Sequence, residues 1–291
     1  MSPFAKYYDH TADNLLVRNA QEGSREALAT LIKKHQHFLY NVAKTLVKDS
    51  DEAADLTQEV LIKMITRLTD FRTESTFTTW LYRIMVNHFL NETKKTQHRK
   101  VASFSILGEF ISKQYNDDDF TTLQQEQHRQ EINELRNNCM RSMLMCLDKQ
   151  QRVIFTLGAI FNLRSTIAAN LVGITSANFR QQLSRAKYDL FQFMNNRCGL
   201  INPENPCRCS KKTKGLMKEG KLNVGTGVFD VNFQKSINSI VSENNRKLDE
   251  LMEGRYISLF RSMNCEDFQR SQEIMDNILL DPDVKSIFQL N

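Results

Sequence analysis

Between Pro3 and Pro203 the chain contains no proline. A sandwich or barrel needs a turn about every 8–12 residues, usually written with Gly, Pro or Asn-Gly. Here only Gly23, Gly108, Gly158, Gly173 and Gly199 interrupt the same stretch. The chain therefore reads as all-α. Punctuation returns at residue 199; from that residue on come six of the ten glycines and three of the four prolines. The hydrophobic share, 41%, is enough for buried cores, so wholesale disorder is excluded.

Hydrophobic spacing supplies the helices. Ser24 is placed to cap a helix in which Leu28, Leu31, Ile32, Phe38, Leu39, Val42 and Leu46 recur at three- and four-residue steps. Ser50 is placed to cap the next, where Leu56, Val60, Met64 and Leu68 fall four residues apart and Asp51 and Glu52 suit the positive helix end. A loop at 70–76 precedes a helix over 77–95. Residues 98–138 lose the periodicity and read as a linker, partly helical after Leu123, with the acidic run Asp117-Asp118-Asp119. Helices return at 149–158, 163–171 and 175–194. In the tail, a mostly helical extension with one candidate hairpin around Val224 to Phe233 is expected. The architecture expected is two helical modules on a flexible linker, plus that extension.

Charge is unevenly spread. Residues 139–197 carry a net +6 and 198–221 a net +4, while 222–291 carry −4. A localised basic block is the footprint of a polyanion-binding surface. No run of 18 apolar residues exists, the first ten residues lack a secretory pattern, and the six irregularly spaced cysteines fit a reducing compartment. The expectation is a cytoplasmic protein with no membrane insertion.

Within the basic block, residues 163–190 have helix-turn-helix spacing. Gly173 sits where the turn needs a positive φ, and Thr175 or Ser176 is placed to cap the second helix. Phe179, Leu183, Ala186 and Leu190 form that helix's buried stripe. Ser176, Asn178, Arg180, Gln181, Gln182, Ser184, Arg185 and Lys187 populate the other face. Arg, Asn and Gln are the side chains that read base edges, and Arg, Lys and Ser hold phosphates.

Two further surfaces stand out. In 52–61, Asp55, Gln58, Glu59 and Ile62 share one face opposite the Leu56/Val60/Met64 stripe, as expected of a protein-docking surface. In 71–95, Phe71, Phe77, Trp80, Tyr82 and Phe89 accompany Arg72, Arg83, Lys94 and Lys95, a mixture suited to unstacked bases. Trp80 and Leu81 read as core, leaving the polar loop as the contact surface.

In this order and spacing, the docking helix, the F-x5-F-x2-WL-x5-N helix, the linker and LDKQQR…IAANLVGIT…RQQLSRAKYDL resemble the extracytoplasmic-function class of bacterial RNA polymerase sigma factors. The resemblance covers residues 12–97 (region two) and 139–195 (region four). It implies a domain order of region two at 12–97, linker at 98–138, region four at 139–197 and a Cys-containing, regulatory extension at 198–291. It implies docking on the clamp helices of the polymerase β′ subunit through Asp55, Gln58, Glu59 and Ile62. The minus-ten element would be melted by Phe71, Arg72, Thr73, Ser75, Thr76, Arg83, Asn87, Lys94 and Lys95. Residues Ser176 to Lys187 would read the minus-thirty-five element, with region four packed on the β flap. An anti-sigma factor is a further partner the resemblance suggests. Ala54, Leu61, Asn91 and Thr166 depart from residues common in the class.

Cys198, Cys207 and Cys209 leave three readings open: a metal site of unusual spacing, a redox thiol set activated by Arg208 and Lys211, or a basic linker with reduced thiols. No cofactor is expected. The chain lacks a Gly-rich phosphate loop, Gly-x-Ser-x-Gly and His-Glu-x2-His, so it does not read as an enzyme. The competing function is a DNA-binding regulator acting without core polymerase; the acidic docking face distinguishes the two.

Overall fold

The structure is a computed structural model that describes residues 4, 8–47, 50–92, 103–112, 119–220, 257–261 and 278. Among these there are helices and turns but no strand, only an isolated bridge between Cys198 and Cys207. The first four helices are α1 (His10–Gln21), α2 (Arg25–Leu46), α3 (Ser50–Thr66) and α4 (Phe77–Glu92). Ser24 caps α2 as expected, its Oγ accepting from the amide of Ala27 at 3.2 Å. Helix α1 has a weaker sequence pattern; Asp9 starts it by accepting from the amides of Thr11 and Ala12, both at 3.0 Å. A turn of 3-10 helix at Leu68–Asp70 ends the path out of α3.

A charged cluster lies inside this bundle. Asp13 on α1 is fully buried, pairs with Lys34 at 2.7 Å, lies 3.3 Å from His35 Nε2 and accepts from Tyr8 Oη at 3.2 Å. Burial alone would raise its carboxyl; the bonds to His35 and Lys34 more than offset this and hold it below the ordinary 3.8. A depressed carboxyl contributes stability above its unfolded value, and that contribution disappears as pH falls through the folded one. Asp13→Ala therefore costs about 3 kcal/mol in urea unfolding at neutral pH, the penalty of stranding a buried partner. The same series repeated below pH 4 gives a smaller difference between wild type and variant.

The segment read as linker is largely built. Helices α5 (Phe104–Ser112) and α6 (Thr122–Gln127) fall within it, and α7 runs Arg129–Met145, so the boundary placed at 139 lies inside a helix. The weak periodicity there has a physical cause: α5 buries only Leu107, Gly108 and Ile111, and α6 buries nothing. Asp119 is held at one edge, accepting from Ser210 Oγ at 2.9 Å, while Asp117 and Asp118 lie outside the described residues. Helix α8 (Lys149–Phe155) is capped by Asp148 in a reciprocal box with Gln151. It continues into a π-helical turn, Thr156–Ile160, before α9 (Ser165–Val172), α10 (Ser176–Asn195) and α11 (Cys209–Lys218).

Two hydrophobic cores result. The first joins α1–α4 with Val153, Ile154, Leu157, Leu163, Ala168, Ala169, Leu171 and Phe179 of the later helices. Phe38 meets Phe161 edge-on with ring centroids 4.9 Å apart across this junction. The second core joins α5, α7, α8 and α10 with Cys198, Ile201 and the segment 257–260. Phe260 is fully buried against Phe155, at 5.2 Å, and Arg261 donates to the carbonyl of Ala159 at 2.7 Å, inside the π-turn. Ile278 is buried in the first core. The expected hairpin at Val224 to Phe233, the apolar positions at 237–252 and Lys94 and Lys95 lie outside the described residues.

Candidate nucleic-acid interface

The helix-turn-helix closes as the sequence spacing predicts. Gly173 takes φ 75°, where a side chain would be strained, and the amide of Ile174 donates back to Ala169 at 3.1 Å. Thr175 caps α10 by accepting from the amide of Asn178 at 3.2 Å. Gly158 is the second glycine with a structural reason. A Cβ there would meet Leu183 Cδ2 at 2.6 Å, so its absence lets the π-turn approach α10 closely.

On α10 the stripe Phe179, Ala186 and Leu190 is buried, and Leu183 is half-buried. The opposite face presents Asn178, Arg180, Gln181, Ser184 and Arg185 to solvent, with Ser176, Gln182 and Lys187 half-buried. Gln182 donates to Asn178 Oδ1 at 2.9 Å, and Arg180 reaches Ser165 Oγ at 3.4 Å. These weak local bonds pre-order the face, and a base edge or phosphate would offer the same donors stronger partners.

The loop after α3 is held at its entry by Gln21, whose Nε2 donates to the carbonyls of Leu68 at 2.8 Å and Phe71 at 3.3 Å. Phe71, expected at the DNA surface, is instead buried, packed edge-on to Phe77 at 5.7 Å and against Trp80 at 5.5 Å. An aromatic ring beside two others gains more from burial than from solvent. Arg72 and Thr73 are exposed at the tip. Thr73 holds φ 57°, a left-handed conformation that strains a β-branched residue by about 1–3 kcal/mol. Thr76 spends its hydroxyl on the start of α4, accepting from the amide of Thr79 at 3.2 Å. Ser75 is half-buried, Asn87 is exposed and Arg83 is half-buried.

A groove of about 530 Å³ lies between α3 and α4, lined by Lys63, Arg67, Trp80, Arg83, Ile84, Asn87, His88 and Asn91. Cations beside the half-exposed Trp80 suit a splayed base and its phosphate. Sequence reasoning missed Lys63, Arg67 and His88. A usable signal existed: Asp55, Glu59, Lys63 and Arg67 recur every four residues, so one face of α3 runs from acid to base. At the acidic end Asp55 and Glu59 are exposed and Gln58 half-buried. Glu59 also pairs with His88 Nε2 at 2.5 Å. Ile62, expected to be exposed on that face, is half-buried against the core.

The tail cysteines are better placed than their spacing suggests. Cys198 and Cys207 form the bridge pair, and Cys139 of α7 and Cys209 stand near enough for their thiolates to repel one another. Among the described residues no group of three His, Cys, Asp or Glu side chains is arranged to hold a metal. Burial works against the thiol activation by neighbouring cations that one of the three readings requires. Burial raises Cys198 and Cys207 above the ordinary thiol value despite Arg208, and burial together with Cys198 and Cys207 lifts Cys209 to about 12. Since the thiolate is the nucleophile, iodoacetamide at pH 7.5 should label these cysteines about tenfold or more slowly in the folded chain than in urea. Mass spectrometry of the alkylated peptides reads this directly.

Residues 31–99 match the family model described as Sigma-70 region 2. The RNA polymerase sigma-H factor of Pseudomonas aeruginosa is 41% identical over 75 residues, which is 26% of this chain and 39% of that protein. The ECF RNA polymerase sigma-E factor of Escherichia coli K12 is 37% identical over 79 residues, 27% of this chain and 41% of that protein. The chain thus spans about two fifths of the length of these relatives. A solved structure, CnrH in complex with the cytosolic domain of CnrY, aligns with TM-score 0.45 at 20% identity, covering 64% of this chain and 98% of that one. No described helix is long and apolar enough to cross a membrane.

Proposed function

We propose that this chain, which carries a Sigma-70 region 2 segment and resembles the extracytoplasmic-function sigma factors, binds core RNA polymerase and directs promoter-specific initiation. The observation that carries the reading is the acid-to-base face of α3. Its exposed acids Asp55 and Glu59 offer a docking surface, and Lys63 on its last turns and Arg67 just beyond its end line the groove beside Trp80, all inside the segment that matches region 2. A regulator acting without polymerase has no use for that acidic face.

In this reading residues 12–97 dock on the polymerase and melt the minus-ten element. Arg72, Thr73, Arg83 and Asn87 line the melted strand, joined by Lys63 and Arg67; Lys94 and Lys95 follow in sequence. Residues 139–197 read minus-thirty-five duplex through Asn178, Arg180, Gln181 and Arg185 while packing on the β flap. The extension at 198–291 is regulatory. Support for that comes from Ile257, Leu259 and Phe260, which are buried beside α8, and from Arg261 on the Ala159 carbonyl. An anti-sigma partner follows from the resemblance alone.

The test is capture of purified core polymerase by the tagged full-length chain. Retention of the β, β′ and α subunits supports the reading. A chain that retains DNA but never core polymerase would replace it with the regulator.

A further inference from the structure

Four cysteines far apart in sequence meet where α11 packs on α7. Cys139 belongs to α7, Cys198 follows α10, Cys207 faces Cys198 across the isolated bridge, and Cys209 opens α11. Each stands close enough to the other three for their charges to interact. Cys198 is buried, while Cys139, Cys207 and Cys209 keep an edge toward solvent, so an ion has a way in. The tail alone offers three thiols; α7 supplies a fourth.

The loop between Cys198 and Cys207 is fixed by its own bonds. Arg208 donates to the carbonyls of Pro203 at 2.7 Å and Cys207 at 3.1 Å, and also to that of Asn205. Asn205 Nδ2 donates to the carbonyl of Asn195 at 2.8 Å. A Cβ on Gly199 would fall 2.2 Å from the Cys207 carbonyl oxygen, so glycine is what lets the two ends of the loop close. Burial raises the Cys198 thiol, and against it the amides of Leu200 and Ile201 donate to the sulfur and favour its thiolate. A protonated sulfur is a weak acceptor, whereas amides aimed at sulfur are the hydrogen bonds that metal-bound thiolates receive.

The surrounding charge has the matching sign. Lys212 favours thiolates at Cys139, Cys207 and Cys209, Arg208 at Cys198 and Cys207, and Arg136 at Cys209, although burial outweighs them at each site. Lys212 is 7% exposed and is held in place by the carbonyls of Phe110 at 2.6 Å and Ile111 at 2.9 Å. Four thiolates on a divalent ion leave an excess of negative charge, which these fixed cations complement.

We propose that Cys139, Cys198, Cys207 and Cys209 bind one zinc ion as a tetrahedral thiolate site, which staples α11 and the loop before it to α7. Sulfur donors in fourfold tetrahedral array are what Zn²⁺ favours. Among the described residues no three of these side chains surround one point as they stand. The backbone that carries them is fixed, and a cysteine sulfur moves about 3 Å between staggered χ1 wells, so convergence asks for side-chain rotation and not for refolding. Each thiol that ligates releases one proton, and no electron is transferred. The site does not depend on the initiation reading: failure of polymerase capture leaves it standing, and failure of zinc binding leaves that reading standing.

The experiment uses the 291-residue chain purified in reductant, with Zn²⁺ or Co²⁺ as the only added metal. Wild type should retain one zinc ion per chain against a colorimetric chelator. Its cobalt form should show intense thiolate-to-metal charge transfer and the visible bands of a tetrahedral ion. Cys139→Ser and Cys209→Ser should each weaken zinc binding about a hundredfold or more, since each removes one of four ligands. Cys146→Ser, whose thiol has Arg152 and none of the four cysteines as its charged neighbour, should stay within about threefold of wild type. Circular dichroism checks that the variants keep their helices, and should Cys139→Ser unfold, the cobalt spectrum of wild type decides. Zinc that is not retained, zinc held as tightly by Cys139→Ser as by wild type, or a cobalt spectrum of an octahedral, oxygen-bound ion overturns the site.

Discussion

Reversing two charges, Asp55→Arg with Glu59→Arg, is expected to reduce capture of core polymerase about a hundredfold or more while leaving the fold intact. Both side chains are exposed on α3 and contribute nothing to its buried face of Ala53, Leu56, Thr57, Val60, Leu61 and Met64. A docking face that meets basic residues loses attraction and gains like-charge repulsion, a combined cost of several kcal/mol. The intramolecular pair of Glu59 with His88 supplies the control. His88→Gln removes that pair and keeps the acids, so it should leave capture within about threefold of wild type. The change should appear mainly in the association rate and should shrink at high salt, as expected of steering between exposed charges.

The second large effect lies in α10. Within the polymerase complex, Arg180→Ala and Arg185→Ala should each cost about 1–3 kcal/mol of promoter affinity, roughly five- to 150-fold. Their signatures separate their roles. A guanidinium on a base edge, once removed, relaxes preference at one position of the upstream element. One on a phosphate weakens all sequences alike and lowers the slope of log affinity against log salt by about 1. Lys187, half-buried at the far end of the same face, should have the smaller effect. Footprinting and salt titration of the complex on matched and scrambled upstream elements distinguish these outcomes.

The legible parts of this molecule are those where one residue type meets one local demand. Ser24, Gly173 and Thr175 mark helix ends because capping and positive φ are demands a single side chain meets. The stripe on α10 follows from spacing alone. What escaped the sequence depends on distant partners. Phe71 looks like a surface aromatic until Phe77 and Trp80 fold against it. Residues 104–112 look like linker until Lys212 donates to the carbonyls of Phe110 at 2.6 Å and Ile111 at 2.9 Å. Cys139 is separated by a whole module from the three cysteines it joins. Arg152 reads as one more member of a basic block, yet it is buried and donates to the carbonyls of Leu46, Leu144, Met145 and Leu147. The basic block therefore overstates the DNA surface: part of its charge holds the protein together.

The proposed role, conversion of core RNA polymerase into a promoter-specific enzyme, is open to a direct test. Run-off transcription with purified core enzyme, the 291-residue chain and a library of genomic fragments provides it. The expected result is discrete transcripts that require the chain, start at fixed sites and disappear with Asp55→Arg/Glu59→Arg. Transcription from the fragments that is no different with the chain than without it would contradict the account.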